Sequence, residues 1–268
     1  RSEVELAVGA APAAGRGATS FADLAATTPG ASVDAAHAAI TPDAVAKFLL
    51  TSGSTGMPKA AVQTHRMLTS NLQMVVDCLP FLQHEPPVLV DWLPWNHVFG
   101  GNHNFGITLY NGGTLYIDDG KPTPQLIGET IRNLREIAPT IYFNVPRGFE
   151  ELLPYLQREP ALRDHFFSRV KMLFFAGAGL AQPVWDALDA LAVQACGERI
   201  LWVSGLGATE TAPSVTFTRR PGVRSGMIGL PVPGVEVKLA PVEGKLEIRA
   251  RGPSMMPGYW RQPELTRA

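Results

Sequence analysis

The chain has 268 residues, 46% of them apolar and 18% charged, with 23 basic against 24 acidic side chains and a formal net charge of −1. That near-neutral balance, without a long basic run, argues against nucleic acid and anionic membrane surfaces as partners. Only Cys78 and Cys196 are present, neither with metal-ligand spacing, which fits a reduced cytoplasmic setting rather than a disulfide framework. No apolar run approaches the length of a membrane span, so no membrane insertion is expected, and Glu3 and Glu5 interrupt any signal-peptide core.

Residues 7–46, rich in Ala, Gly, Pro and Thr, read as an irregular surface excursion with a short helix near Phe21. Residues 46–50 read as a short buried strand and 63–77 as a helix. Strands are expected at 88–90 and 114–117. Thr123-Pro124 reads as a helix start, with Thr as N-cap and Pro in the first turn, and this helix should run to about Ile137. A strand at 140–143, a helix at 149–157 and a strand at 170–175 follow. Pro183 opens a helix to about Ala195, and 200–203 is a strand. Such alternation predicts an α/β core of parallel strands flanked by helices over residues 1–212. From 213 to 268 the pattern changes to half-buried strands at 215–217, 235–239 and 245–249. Turn signals at Pro221-Gly222, Pro233-Gly234 and Glu243-Gly244 separate them, predicting a smaller antiparallel or barrel-like portion. The chain begins at Arg1 without a methionine and stops just after a motif-rich segment, so we expect one large domain, incomplete at both ends, of a longer enzyme.

The chemistry is concentrated between these elements. Thr51-Ser52-Gly53-Ser54-Thr55-Gly56-Met57-Pro58-Lys59 lies between the first strand and the first long helix. Glycines let backbone approach a ligand closely, and hydroxyls, N–H groups and a lysine suit phosphate oxygens. A strand, a polar loop and a helix make a phosphate cradle. The P-loop of the Walker NTPases is excluded by spacing, because Lys59 follows Pro58 and no Ser or Thr comes next. A second polar loop, Ser204-Gly205-Leu206-Gly207-Ala208-Thr209-Glu210-Thr211, follows a strand, where open α/β sheets bind ligands. Thr209 could donate to a phosphate and Glu210 could hold Mg²⁺, a cation that prefers carboxylate and phosphate oxygen. A third site, Ala176-Gly177-Ala178-Gly179-Leu180, would let a flat ring lie on the backbone, or else marks tight strand–helix packing. His97 lies in another loop after a strand, with Asn102, His103 and Asn104 close by. Residues 252–260, with Tyr259 and Trp260, read as a packed loop.

In order, these segments resemble the adenylate-forming superfamily of acyl-CoA synthetases, luciferases and peptide-synthetase adenylation domains. Thr51 to Lys59 matches its phosphate-loop signature, and Gly207-Ala208-Thr209-Glu210 its second signature. Ala176 to Leu180 resembles its adenine strip, and Leu93-Pro94-Trp95-Asn96-His97 the segment whose histidine lines the acyl pocket. The run from Asp91 to Phe105, the run Leu109 to Pro122 and Phe143-Asn144-Val145-Pro146 look most like feruloyl-CoA synthases. The resemblance implies a ligase that joins a carboxylic acid, ferulate or a related hydroxycinnamate, to coenzyme A through an acyl-AMP, with ATP, Mg²⁺ and coenzyme A as co-substrates or cofactor. It implies Lys59, His97, Thr209 and Glu210 as catalytic, with Glu210 on the metal. The nucleotide would be held by Thr51, Ser52, Gly53, Ser54, Thr55, Gly56, Lys59, Gly177, Ala178, Gly179, Gly205, Leu206, Gly207, Ala208 and Thr209, and the acid by His97, Asn102 and Ser204. Two departures from the family pattern are Ala60, where Gly is usual, and Leu206, where an adenine-stacking Tyr is usual. The family's C-terminal lid with its lysine lies beyond Ala268, so a fragment that binds nucleotide without full activity is the rival expectation. An adenylation domain or a ligase for another aromatic or fatty acid is a further one.

Overall fold

The computed structural model describes residues 5–7, 18–51, 58–219 and 222–267. The chain divides into a small unit over residues 1–41 and a large one from Pro42 onward. In the small unit, β1 (Glu5–Ala7) pairs in parallel with β2 (Ala18–Ser20), followed by α1 (Phe21–Ala25) and α2 (Ala31–Ala38). Ser20 caps α1 by accepting from the Asp23 N–H at 3.0 Å.

The large unit opens with a hairpin of β3 (Val45–Thr51) and β4 (Lys59–Thr64), with Thr51 opposite Lys59. Two expectations change here. The helix α3 (His65–Cys78) is preceded by a strand, so the segment between Thr51 and Lys59 connects strand to strand rather than strand to helix. Its residues 52–57 lie outside the described residues. Nor is β3 a buried strand: Leu49 faces inward, while Val45, Phe48 and Leu50 are exposed. Thr64 ends the strand and caps α3, accepting from the Met67 N–H.

The centre is a five-stranded sheet in the order β11-β10-β9-β8-β7. Its parallel part is β7 (Ile141–Asn144), β8 (Met172–Phe175) and β9 (Leu201–Gly207); β10 (Ser214–Phe217) and β11 (Leu230–Pro231) add on antiparallel. The switch to the β-rich portion therefore does not leave the sheet. A parallel pair, β5 (Val88–Asp91) and β6 (Thr114–Ile117), adjoins β7 through Thr140, whose N–H donates to the Val88 carbonyl at 3.0 Å.

Alternation along the strands sorts side chains to two faces. Tyr142, Leu173, Phe175 and Trp202 face one core, closed by α5 (Ile127–Glu136), α6 (Pro146–Arg158), α7 (Pro160–Phe167) and α8 (Gln182–Cys196). Phe143, Phe174 and Val203 face the other, closed by α3, α4 (Phe105–Tyr110) and the wide turn before α4. These strands read as near-continuous apolar runs because both faces are covered, as parallel sheets require. The hairpin of β12 (Glu236–Val242) and β13 (Lys245–Arg251) turns at Glu243-Gly244, both at positive φ, before α9 (Pro263–Arg267).

Two further boundaries differ from expectation. Thr123 does not begin α5: its carbonyl accepts from Leu126 and Ile127 in a separate turn, and the helix starts at Ile127. Asp118 steadies this junction by accepting from the Gly120 N–H, Thr130 Oγ1 and Asn133 Nδ2 at 2.5–3.0 Å. Ser204 to Gly207, read as a loop, continues β9. A Cβ at Gly205 would lie 2.1 Å from the Thr216 carbonyl oxygen, and one at Gly207 2.4 Å from that of Pro213. The glycines here permit β10 to approach, not a flexible turn. Gly205→Ala is accordingly expected to cost about 1–3 kcal/mol, seen as a lower urea midpoint. Gly179→Ala, with nothing nearer than 4.0 Å, should leave that midpoint unchanged.

Candidate active site

Because β7, β8 and β9 run parallel, their carboxyl ends share one edge, the edge where open α/β sheets bind ligands. A cavity of about 380 Å³ opens there, lined among others by His97, Phe99, His103, Gly177, Ser204 and Leu206. The strip 176–179 forms part of its wall, and Gly177, at φ +88°, takes a conformation that a side chain would strain. The wall is mostly apolar, and its polar groups are few, the usual composition of a small-molecule site.

His97 stands exposed, and its Nδ1 accepts from the Phe99 N–H at 3.2 Å, capping a turn of π-helix over Val98–Asn104. Such wide turns recur at functional sites. All seven residues of this turn are buried, including Asn102, His103 and Asn104. Asp91, at the end of β5, explains how the last two are accommodated. Its carboxylate accepts from the Leu93 N–H at 3.1 Å and from Asn104 Nδ2 at 3.0 Å, and Asn104 Oδ1 lies 3.0 Å from His103 Nδ1. The carboxylate fixes which end of the Asn104 amide faces the ring. The amide oxygen then requires a proton on Nδ1, leaving Nε2 as an acceptor. Burial raises the Asp91 carboxyl from 3.8 to about 6, and burial lowers the His103 imidazole from 6.5 to about 4.

A second polar line joins three elements. Gln63 of β4 is fully buried; its Nε2 donates to the Thr209 carbonyl at 3.0 Å and its Oε1 accepts from Asn102 Nδ2 at 3.0 Å. Beside it, Tyr259 donates its hydroxyl to Glu210 Oε1 at 2.5 Å, and Lys59 Nζ sits 5.1 Å from the centre of the Tyr259 ring. Burial first, then the hydrogen bond to Glu210, pushes the Tyr259 phenol up to about 12. The Trp260 N–H to Ala60 carbonyl bond, 2.8 Å, and the Met256 N–H to Glu210 carbonyl bond, 2.9 Å, hold this segment against β4 and the loop after β9.

The fold thus brings together Lys59, Thr209 and Glu210 around Tyr259 and Gln63, and His97, Ser204 and residues 176–179 and 205–207 around the cavity. Thr51 ends β3 opposite Lys59. Asn102 is not among the residues lining the cavity; its amide nitrogen is spent on Gln63. Ser52, Gly53, Ser54, Thr55 and Gly56 lie outside the described residues. Sequence reasoning missed Tyr259 and Gln63. A tyrosine in a turn-rich segment and a glutamine in an apolar strand give no sign of what they will touch, although a glutamine among Ala60, Ala61 and Val62 is a polar residue that burial would force to find partners. No cluster of three or more His, Cys, Asp or Glu side chains occurs among the described residues. A single carboxylate at Glu210 fits Mg²⁺, which takes few protein ligands and completes its shell with phosphate oxygens and water. No described helix is long and apolar enough to cross a membrane.

The sequence matches the family described as AMP-binding enzyme over residues 6–260. It is 31% identical over 242 residues to a long-chain-fatty-acid–CoA ligase of Salmonella typhimurium, covering 85% of this chain and 40% of that protein. It is 31% identical over 240 residues to the 2-succinylbenzoate–CoA ligase of Escherichia coli, covering 87% and 44%. It is 29% identical over 231 residues to an anthranilate–CoA ligase of Pseudomonas aeruginosa, covering 82% and 41%. Among solved structures, a malonyl-CoA ligase with methylmalonyl-CoA and AMP bound superposes with a TM-score of 0.67 at 29% identity, covering 85% of this chain and 47% of that one. The mixed α/β architecture is that of the N-terminal part of adenylate-forming enzymes. The chain spans less than half the length of these relatives.

Two measurements check the polar lines. Folded Asp91 holds its proton more tightly than the unfolded chain, so the stability it controls falls as pH rises from about 4 to 6. Folded His103 resists protonation, so the stability it controls rises over the same window, and the two slopes oppose each other. His103→Leu should leave the Asp91 slope alone, and Asp91→Asn the His103 slope, giving urea midpoints that diverge in opposite directions from wild type between pH 4 and 6. Parallel profiles for all three proteins would remove both assignments. Gln63→Leu orphans the Asn102 amide and the Thr209 carbonyl and should destabilise by about 2–4 kcal/mol, measured by urea unfolding; an unchanged midpoint would show that the bridge contributes nothing.

Proposed function

Because the chain belongs to the AMP-binding enzyme family, we propose that it carries the nucleotide- and acid-binding part of an ATP-dependent acid–CoA ligase. The observation that carries this reading is the convergence of Lys59 and Glu210, from distant elements, on one tyrosine, Tyr259. A cation and a metal-competent carboxylate held on one side chain suit a reaction in which two anions must meet. In that reaction a carboxylate oxygen attacks the α-phosphorus of ATP, forming acyl-AMP and releasing pyrophosphate. The coenzyme A thiolate then attacks the acyl carbon, forming the thioester and releasing AMP.

The protein's task in the first step is to neutralise phosphate charge and hold the reactants in line. Lys59, with the Thr51 to Gly56 segment, would cover the β- and γ-phosphates. Thr209 would donate to the α-phosphate, and Gln63 fixes the backbone at Thr209 from behind. Mg²⁺ on Glu210 would supply further charge neutralisation there. Residues 176–179 and 205–208 would receive the adenine, with Leu206 offering apolar contact where a stacking tyrosine is usual. A substrate carboxylate is already a nucleophile, so no general base is required. His97 and Ser204 line the cavity and would contact the acid. The runs Asp91 to Phe105 and Leu109 to Pro122 favour ferulate or a related hydroxycinnamate as that acid. Supporting the ligase reading, the similar proteins include ligases for a long-chain fatty acid, anthranilate and 2-succinylbenzoate.

Acid-dependent exchange of pyrophosphate into ATP, measured on the intact polypeptide with cinnamic, benzoic and fatty acids, tests this reading. Hydroxycinnamates should give the highest kcat/KM. Glu210→Gln should lower it about a hundredfold, and His97→Ala should raise KM for the acid more than for ATP. Exchange with none of the acids would overturn the proposal, and an unchanged acid KM would remove His97 from the pocket.

A further inference from the structure

We propose that His103 Nε2 is the receptor for a hydroxyl group at the far end of the acyl substrate, so that the site selects acids carrying a hydrogen-bond donor there; this rests on the ligase reading above. His103 lines the cavity, is 2% exposed, and its Nε2 is buried without a hydrogen-bond partner. Buried polar atoms without a partner are rare and call for an explanation.

The surroundings narrow what can pair with this atom. Phe99, Phe143, Phe174 and Phe217 surround the imidazole with ring centroids 5.0–6.0 Å away. None of these rings offers a conventional partner, so the atom's partner must come from the cavity. The relay from Asp91 through Asn104 places the proton on Nδ1 and the lone pair on Nε2. An acceptor of fixed polarity takes a donor: a hydroxyl or amine is matched, whereas a hydrogen, methyl or ether oxygen is not. Ser214 Oγ, also buried and unpartnered, lines the same cavity, but its rotor serves as donor or acceptor and discriminates less.

Orientation follows from the cost of burying charge. A carboxylate cannot be left among four phenylalanine rings without a counter-charge. It stays near exposed His97 and the Thr209–Glu210 loop, and the uncharged end of the acid lies toward His103. A flat aromatic acid with a terminal hydroxyl meets both requirements, because its ring packs on the phenylalanines while its hydroxyl reaches Nε2.

The test compares 4-hydroxycinnamate, cinnamate and 4-methoxycinnamate in pyrophosphate exchange, with wild type and His103→Phe in the intact polypeptide. In wild type the hydroxy acid should exceed the other two in kcat/KM by about tenfold or more. In His103→Phe the preference over cinnamate should collapse to within about twofold, with cinnamate itself still used. A preference that survives His103→Phe overturns the proposal and leaves the ligase reading standing. If no acid supports exchange, the ligase reading fails, and equilibrium binding of the same three acids decides the His103 assignment: equal affinities for wild type and variant overturn it. Should His103→Phe not fold, ¹⁵N-histidine NMR of wild type gives the answer. The Nε2 resonance should move on adding 4-hydroxycinnamate relative to cinnamate, and identical shifts would overturn the assignment.

Discussion

One buried amide ties the working parts of this molecule together. Gln63 spends its nitrogen on the Thr209 carbonyl and its oxygen on Asn102. Each partner belongs to a different element: Asn102 to the wide turn beside the cavity, Thr209 to the loop after β9, and Gln63 itself to the strand that begins at Lys59. An amide is suited to this position because it offers a donor and an acceptor on one rigid plane. An apolar residue would leave two buried groups unpaired, and a charged one would have no counter-charge. The relative placement of β4, the wide turn and the loop after β9 therefore rests on a neutral amide engaged at both ends rather than on an ion pair.

Around that bridge the sheet supplies rigidity in the ordinary way. Its two faces are filled by alternate residues of the same short strands, with Tyr142, Phe175 and Trp202 on one side and Phe143, Phe174 and Val203 on the other. The second face does double service. Phe174 and Phe217 belong to the core and also line the cavity. A ligand there touches the framework directly, with no mobile layer between, which favours a preorganised site.

Much of this was legible in the sequence. Apolar runs such as 170–175 placed β7 and β8 to within two residues, and the polar segments that follow Phe175 and Val203 lie along the cavity. What was not legible depended on contacts between distant segments. Ser204 to Gly207 reads as a loop because glycine is a turn former, yet these glycines exist so that the Thr216 and Pro213 backbones can come close. The strand at Lys59–Thr64 was hidden because its buried face carries Gln63, a polar residue whose partners lie far along the chain. Tyr259 looked like packing because nothing local to it names Lys59 or Glu210. The motifs carried the family, and the partners that hold the motifs in place were supplied by tertiary structure.

The π-turn over Val98–Asn104 has one further consequence. A turn of this kind advances with more residues per circuit than an α-helix, and here it buries seven consecutive side chains, polar and apolar alike. Which of them looks into the cavity is therefore a question of phase. Removing a single residue would swing every later side chain by most of the roughly 100° per residue of an α-helix, turning His103 away and bringing a neighbour into its place. Along this segment, a change of one residue in length would alter the chemistry of the cavity wall more than most substitutions, and a change before Asn102 would also pull on the Gln63 bridge to Thr209.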